Sequence, residues 1–256
     1  MHVTVILAVR DGAASIGAAI ESIVAQTYFD WDMILVDDGS TDGTGALLDA
    51  WAACDSRLSV IHNDRNLGLA PSLNRAWRVA RGELIARMDA DDVSLPERLQ
   101  TQVEFLRAHP EIDVVGSGAY LLDDDGQPRG ISLRAAEHEQ LIANMYREVP
   151  FIHPSVMMRR RFLEALDGYD PRLRRGQDYD LWSRGHRRFR YANLSLPLIK
   201  YRVRGRPTFR AIFYATWVVA RAVLRDGRVL THAWWPLRWF LGMTAAKLGL
   251  WRLRNP

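Results

Sequence analysis

Cysteine is all but absent from this chain of 256 residues: Cys54 stands alone, which excludes an intramolecular disulfide and suits a reducing compartment. Lysine is nearly as scarce, two residues against 32 arginines, and none precedes Lys200. That gap, with the length, excludes a receiver domain of the response-regulator kind, which also carries acid pairs at strand ends. No run of about 18 apolar residues occurs, so a simple membrane-spanning helix is not expected. The opening stretch MHVTVILAVRDG lacks a basic segment and a small-residue cleavage site, and it reads as a core strand rather than a signal peptide. Directly after it, Val9-Arg10-Asp11-Gly12 supplies no glycine-rich phosphate loop and no G-x-G-x-x-G. Dinucleotide-dependent dehydrogenases fail on that point, and sugar nucleotidyltransferases are disfavoured by it. Acids are missing from the last fifth. From Lys200 to Pro256 twelve Lys/Arg face one acid, Asp226, a balance of +11; with +4 for the whole chain, residues 1–199 carry −7. Acidic and basic parts serve different tasks.

What is present is an ordinary globular composition, 48% apolar and 25% charged, without repeats or low-complexity tracts. Residues 1–115 alternate β-branched runs with amphipathic stretches. Val3–Val9 is apolar throughout, as a strand buried on both faces must be. Further strands are expected at Met33–Val36, Leu58–Ile61, Glu83–Met88 and Asp113–Val115. Helices are expected between them, the last led by Pro96 and ending near Ala108. Such alternation predicts right-handed βαβ crossovers and a mostly parallel, Rossmann-like sheet flanked by helices. Residues 116–206 read as mixed α/β. They offer a hairpin turn at Asp123-Asp124-Asp125-Gly126, a helix near Glu137–Met145, a strand at Ile152–Met158, helices at Arg160–Leu166 and Asp178–Arg187, and a closing strand at Leu196–Val203. A boundary is expected at residues 206/207, dividing a catalytic domain (1–206, with halves 1–115 and 116–206) from a helical extension, 207–256.

In an open parallel sheet, ligands bind beyond the carboxyl ends of the strands. Two of those ends carry acid clusters: Asp37-Asp38, and Asp89-Ala90-Asp91-Asp92. For Asp37 and Asp38, capping of the following turn is an equal alternative. Three carboxylates within four residues repel one another and are best kept ionised by a cation. Hard oxygen ligands suit Mg²⁺ or Mn²⁺, which share their coordination with substrate phosphates.

Six segments then carry a resemblance: VILAVRDGAASIGAAIESIVAQT, ILVDDGSTDGT, NLGLAPSLNRAW, RGELIARMDADD followed by LPERL, IHPSVMMRR, and GYDPRLRRGQDYDLW. In order and spacing over roughly residues 3–185 they resemble family 2 of the inverting glycosyltransferases, with the GT-A fold. The resemblance implies that Asp38, beside Asp37, reads the donor base, with Val9, Asp11 and Asn66 in the nucleotide-sugar site. It implies that Asp89, Ala90 and Asp91 form the DxD motif, with Asp91 the main metal ligand, Asp89 near ribose and metal, and Asp92 in support. Asp178 stands where the family keeps its catalytic base, while His153 and Gln177 are placed near the diphosphate or acceptor. Two positions depart from the pattern: Gln177 replaces the usual Glu before the base, and Arg10-Asp11 replaces an aromatic-Asn pair. A donor that is a nucleotide-diphosphate sugar, most simply a UDP-sugar, and an acceptor that is a glycan or a lipid-linked glycan follow from the same resemblance. An N-cap is the structural alternative for Asp178, and core packing is an equal alternative to sugar stacking for Trp182.

Five of the nine tryptophans, Trp217, Trp234, Trp235, Trp239 and Trp251, fall in residues 207–256, interleaved with arginine and apolar residues as two helices separated at Asp226-Gly227. That composition predicts an interfacial segment on an anionic membrane surface, hence a cytoplasmic enzyme peripheral to the inner face of the cell membrane. Packing of these helices onto the catalytic domain or a second subunit is the alternative. Nucleic acid is not expected as a partner, because the acidic first part repels phosphate.

Overall fold

The structure, a computed structural model, describes residues 1–203, 208–227 and 241. The uninterrupted apolar run becomes β1 (Val3–Val9), buried at every position. It lies between two parallel neighbours, β2 (Trp31–Asp37) and β4 (Leu84–Met88), with β3 (Leu58–His62) outside β2. The crossovers are α1 (Ile16–Val24), α2 (Thr44–Cys54) and α3 (Leu69–Val79). Side chains alternate across β1: Val3, Val5, Leu7 and Val9 pack with α1 and with α4 (Arg98–Ala108), whereas Ile6 and Ala8 join the larger core around α3. After the turn at 89–92 comes a two-residue strand, β5 (Val93–Ser94).

The second half extends the same sheet with mixed polarity. Among the described residues nine strands form it. β6 (Ile112–Leu122) and β7 (Pro128–Ser132) make the hairpin expected at Asp123–Gly126. Then follow α5 (His138–Asn144), a 3₁₀ turn at His153–Ser155, β8 (Met157–Arg159), α6 (Arg160–Leu166), α7 (Gln177–Gly185), β9 (Arg190–Arg202) and α8 (Phe209–Arg225). The spatial order is β3-β2-β1-β4-β8-β6-β9-β5, with β7 on β6. β8 runs antiparallel to β4 and β6, and β5 antiparallel to β9, while β6 and β9 are parallel.

Three segments differ from expectation. β6 runs for 11 residues rather than three, through Gly116 and Gly118, which sit where a Cβ would collide with Asn193 or Leu133. The expected strand at Ile152–Met158 begins as a 3₁₀ turn around Pro154, and only Met157–Arg159 pairs. β9 starts six residues before Leu196, its register against β6 slipping at Ser117–Ala119.

α8 is the first of the two helices expected in the basic extension, and the second, from residue 228 on, lies outside the described residues apart from residue 241. Val218, Val219, Ala222 and Val223 on one face of α8 are buried in the main core with α3, α6 and α7. The opposite face keeps Phe209, Phe213, Trp217 and Leu224 exposed. Through this face α8 packs on the body formed by residues 1–203, the alternative to an interfacial segment for this helix. Among the described residues no helix is long and apolar enough to cross a membrane.

Candidate active site

The first loops beyond the sheet are stapled to each other. Asp11, in a left-handed conformation (φ 51°), accepts from the Thr41 backbone N–H at 2.8 Å, and its own N–H donates to Ser40 Oγ at 3.0 Å. Gly12 N–H donates to Thr44 Oγ1 and Ala13 N–H to Asp42. Val9 ends β1 and its carbonyl accepts from Asp38 N–H at 2.8 Å. Asp37 and Asp38 are both buried at the tip of β2 and both are committed to the protein. Asp37 accepts from Ser40 N–H and lies 3.2 Å from His62 Nδ1. Burial opposes its charge, but the Ser40 and His62 contacts win and its pKa is lowered. Asp38 accepts from Asn63 Nδ2 (2.8 Å), Leu67 N–H (2.7 Å) and Gly68 N–H (2.9 Å), fixing the loop that presents the exposed Asn66. The turn-capping alternative is thus what these two side chains do here. Asp37 holds the loop that follows β2, and Asp38 the loop that follows β3.

The second acid cluster stands at the tip of β4. Asp89, Asp91 and Asp92 each offer an oxygen within 4.8 Å of the others, while Ala90 makes the turn. β5 then pairs with β9, and Arg202 N–H donates to Asp92 Oδ1 at 2.9 Å, so the turn is pinned against the end of β9. Asp92 is buried and its Oδ2 has no partner. Burial, then the neighbouring Asp89, pushes Asp92 up to about 8. A buried carboxylate oxygen without a donor, beside two more carboxylates, is a site lacking a positive charge, and hard oxygen donors of this kind fit Mg²⁺ or Mn²⁺.

One cation is built in. Arg87, on β4, is 1% exposed and pairs through Nη2 with Asp89, while Nε and Nη1 have no partner. Burial works against its charge and the Asp89 carboxylate more than offsets it. Arg98 lies behind it, its Nη2 donating to the Arg87 carbonyl at 2.8 Å.

Asp178 lies within electrostatic reach of Asp89 and Arg87 of this cluster. It is the second residue of α7, whose N-cap is Gly176 in the left-handed region (φ 66°), so Asp178 is not the N-cap. Its pKa is raised, foremost by burial; the Tyr179 N–H and Arg87 pull the other way, and Asp89 adds to the rise. Tyr169 and Tyr201 are raised first by burial and then by carboxylates that for both include Asp89 and Asp178. Asp89 and Asp178 therefore lie within electrostatic reach of each other and of the same two phenols, on one side of the molecule. His153 Nε2 lies 3.0 Å from Tyr169 Oη, and burial, with Arg87, keeps the imidazole neutral. Gln177 is buried. Trp182 is fully buried against Phe151, Phe162 and Tyr191, which makes it a core residue and not a sugar platform.

The loop before α7 is tied to the nucleotide half. Asn74 of α3 donates to the Tyr169 carbonyl at 2.7 Å and accepts from its N–H at 2.9 Å, as a neighbouring strand would. Gly168 is required beside it, since a Cβ there would strike Trp77 and Asn74. Sequence reasoning passed over Arg87, Asn74, Tyr169, Tyr201 and Arg202. For Arg87 the signal was present: a charged residue inside the otherwise apolar strand LIARM.

The mixed sheet, with its parallel β3-β2-β1-β4 half and acids at neighbouring strand tips, is the GT-A architecture. The family model described as Glycosyl transferase family 2 matches residues 4–166, and the chain belongs to that family. It is 41% identical over 204 residues to EpsE of Bacillus subtilis, named as a glycosyltransferase, covering 78% of this chain and 72% of EpsE. It is 29% identical over 210 residues to the O-antigen biosynthesis glycosyltransferase WbnJ of Escherichia coli, covering 80% and 81%. Among solved structures, S. aureus TarS 1–349 in complex with UDP-GlcNAc matches with a TM-score of 0.69 at 19% identity, over 88% of this chain and 67% of that one. The mannosyltransferase PcManGT from Pyrobaculum calidifontis, in complex with GDP-Man and Mn²⁺, matches with 0.69 at 20% identity, over 100% and 76%. These structural likenesses establish the GT-A fold, and the protein is a glycosyltransferase.

Proposed function

We propose that the protein is a metal-dependent, inverting glycosyltransferase that moves a sugar from a nucleotide-diphosphate donor, a UDP-sugar first among candidates, to a hydroxyl of a glycan or lipid-linked acceptor in cell-surface glycan synthesis. The observation that carries this reading is the three-carboxylate turn with Asp178 and the buried Arg87 within electrostatic reach of one another. Asp91, with Asp89 and Asp92, would hold Mg²⁺ or Mn²⁺, which supplies charge stabilisation for the departing diphosphate. The nucleotide would lie over the tips of β1 and β2, between Val9, Asp11 and Asn66, with Asp37 and Asp38 supporting the pocket from below. Asp178 accepts the proton of the attacking hydroxyl, and its raised pKa makes it a stronger base than an ordinary carboxylate. A single base on one face, with no carboxylate acting as nucleophile, gives inversion. His153 and Gln177 line the diphosphate or acceptor side, the former as a neutral hydrogen-bonding group. The nucleotide-sugar complexes of TarS and PcManGT support the donor class, and the polysaccharide-related names of relatives such as WbnJ support the acceptor class.

A panel of UDP-, GDP- and dTDP-sugars with Mg²⁺ or Mn²⁺ tests the reading by thermal shift and by release of nucleoside diphosphate. One donor should stabilise the fold and be consumed when acceptor is added. Sugar-nucleotide synthesis from a nucleoside triphosphate would instead assign a nucleotidyltransferase, and binding without turnover a non-catalytic nucleotide-sugar protein.

The extension is proposed to bring the enzyme to an anionic membrane surface at the cytoplasmic face. Support comes from its +7 balance, eight Lys/Arg against Asp226, and from the exposed Phe209, Phe213, Trp217 and Leu224 of α8. Basic residues near such a surface contribute about 1 kcal/mol each, and salt screens them. The full chain should co-sediment with vesicles containing phosphatidylglycerol and be released by high salt; failure to bind at low salt removes the membrane from the account.

A further inference from the structure

α7 carries Asp178, and within α7 Arg184 holds Asp180 of the first turn. Its N-cap is a glycine with no side chain to cap the free N–H groups, and the loop before it, residues 170–176, is largely exposed. A second restraint comes from α8, beyond residues 4–166 of the family match. Arg225 Nη1 lies 3.1 Å from Asp180 Oδ1, in the same turn as Asp178, and Arg225 Nη2 donates to Ser183 Oγ. Arg221 Nη2 lies 3.2 Å from Asp170 Oδ2, at the start of the loop. Arg174 N–H donates to Tyr214 Oη at 3.3 Å. Val218 comes so near Gly176 that a Cβ on the glycine would sit 3.2 Å from it. Asp180 and Asp170 are almost fully covered, at 3% and 8% exposure, so these pairs are much less screened than surface ion pairs.

We propose that α8 is part of the catalytic unit, with Arg221 and Arg225 as positioning residues that hold the 170–176 loop and the first turn of α7, and through them the Asp178 carboxylate, in register with the acid turn on β4. This rests on Asp178 being the base. Arg184 already holds Asp180 from within α7 at 2.7 Å and also binds the carbonyls of Leu166 and Gly168. Arg172 likewise holds Asp170 at 2.9 Å. Loss of the α8 arginines therefore leaves each aspartate paired, and what is removed is the arginine-borne part of the link between α8 and α7 with its leading loop. A base misplaced by about 1 Å costs on the order of 10²-fold in rate.

The test uses the full-length protein with R221M/R225M, and in parallel R225K and D178N. The expected result is a fall in kcat of about 10²-fold for the double variant, with donor affinity by calorimetry and donor KM within about twofold of the parent. R225K, which keeps the charge, should recover most of the rate. Should the double variant not fold, R221Q carries the test with an expected loss of about tenfold in kcat alone, roughly half the effect on a logarithmic scale. Unchanged kcat overturns the proposal. So does a loss of kcat, donor affinity and thermal stability in step, because that pattern marks general structural support. If D178N is inactive while R221M/R225M turns over normally, only the α8 proposal falls; if D178N itself retains transfer, the assignment of the base falls first.

Discussion

Asp178→Asn is expected to bind donor as the parent does while losing transfer by about 10²- to 10⁴-fold, the usual contribution of a positioned general base. The substitution keeps shape and removes the ability to accept a proton. It also removes a carboxylate that burial disfavours in its charged form. A carboxyl group whose folded-state pKa lies above its unfolded value stabilises the fold at low pH and withdraws that contribution as pH rises through the folded pKa. At neutral pH the ionised Asp178 is therefore a cost, and the Asn variant should melt at a higher temperature than the parent. The same shift dictates the pH profile. Transfer requires the ionised base, so kcat/KM should rise with pH along an acid limb placed above the ordinary carboxylate value of 3.8. Calorimetry, a melting curve and a pH–rate series on one pair of proteins check all three outcomes. Loss of donor binding, or a lowered melting temperature, would show that Asp178 holds the fold or the donor instead.

Asp91→Ala should abolish the stimulation of donor binding by Mn²⁺ or Mg²⁺ and lower transfer by about 10²- to 10³-fold, the range for removing one preorganised stabiliser of transition-state charge. The parent should melt at a higher temperature when Mn²⁺ and nucleoside diphosphate are added together, since ligands that bind only the folded state stabilise it by mass action. Arg87 supplies one positive charge against Asp89, Asp91 and Asp92, so acids outnumber the cation even with Asp92 protonated. Full activity in excess chelator, or an unaltered metal response in the Asp91 variant, would sink the metal role.

The first half of the fold was legible because its signals are local. The all-apolar Val3–Val9 can only be a doubly covered strand, and helix-forming stretches separate Met33–Val36, Leu58–Ile61 and Glu83–Met88 at crossover distance; the observed strands lie within two residues of those spans. Arg160–Leu166 was legible to the residue. β6 and β9 were not, since their glycines, Pro197 and slipped register reflect pairing between residues some 80 positions apart. The acid turn and Asp178 stood out as residue types in a motif. The pieces joining them did not: Arg87 donates from inside a strand, Asn74 stands in a helix that reads as ordinary, and Arg202 acts through its backbone N–H, to which sequence is blind. Asp38 carries a structural task its place in ILVDDGS does not reveal: its oxygens also accept from three donors of the protein.

The paired hydrogen bonds between Asn74 and the Tyr169 backbone bear on how such enzymes could be recombined. They bridge the two halves of the chain with a side chain that imitates a strand edge. Grafting residues 116–206 of a relative onto this nucleotide-binding half would transplant the new loop but not its anchor, unless position 74 keeps its amide and position 168 stays glycine. Under the proposed function, exchange of acceptor preference between family members would therefore be constrained at α3, far along the chain from residues 116–206.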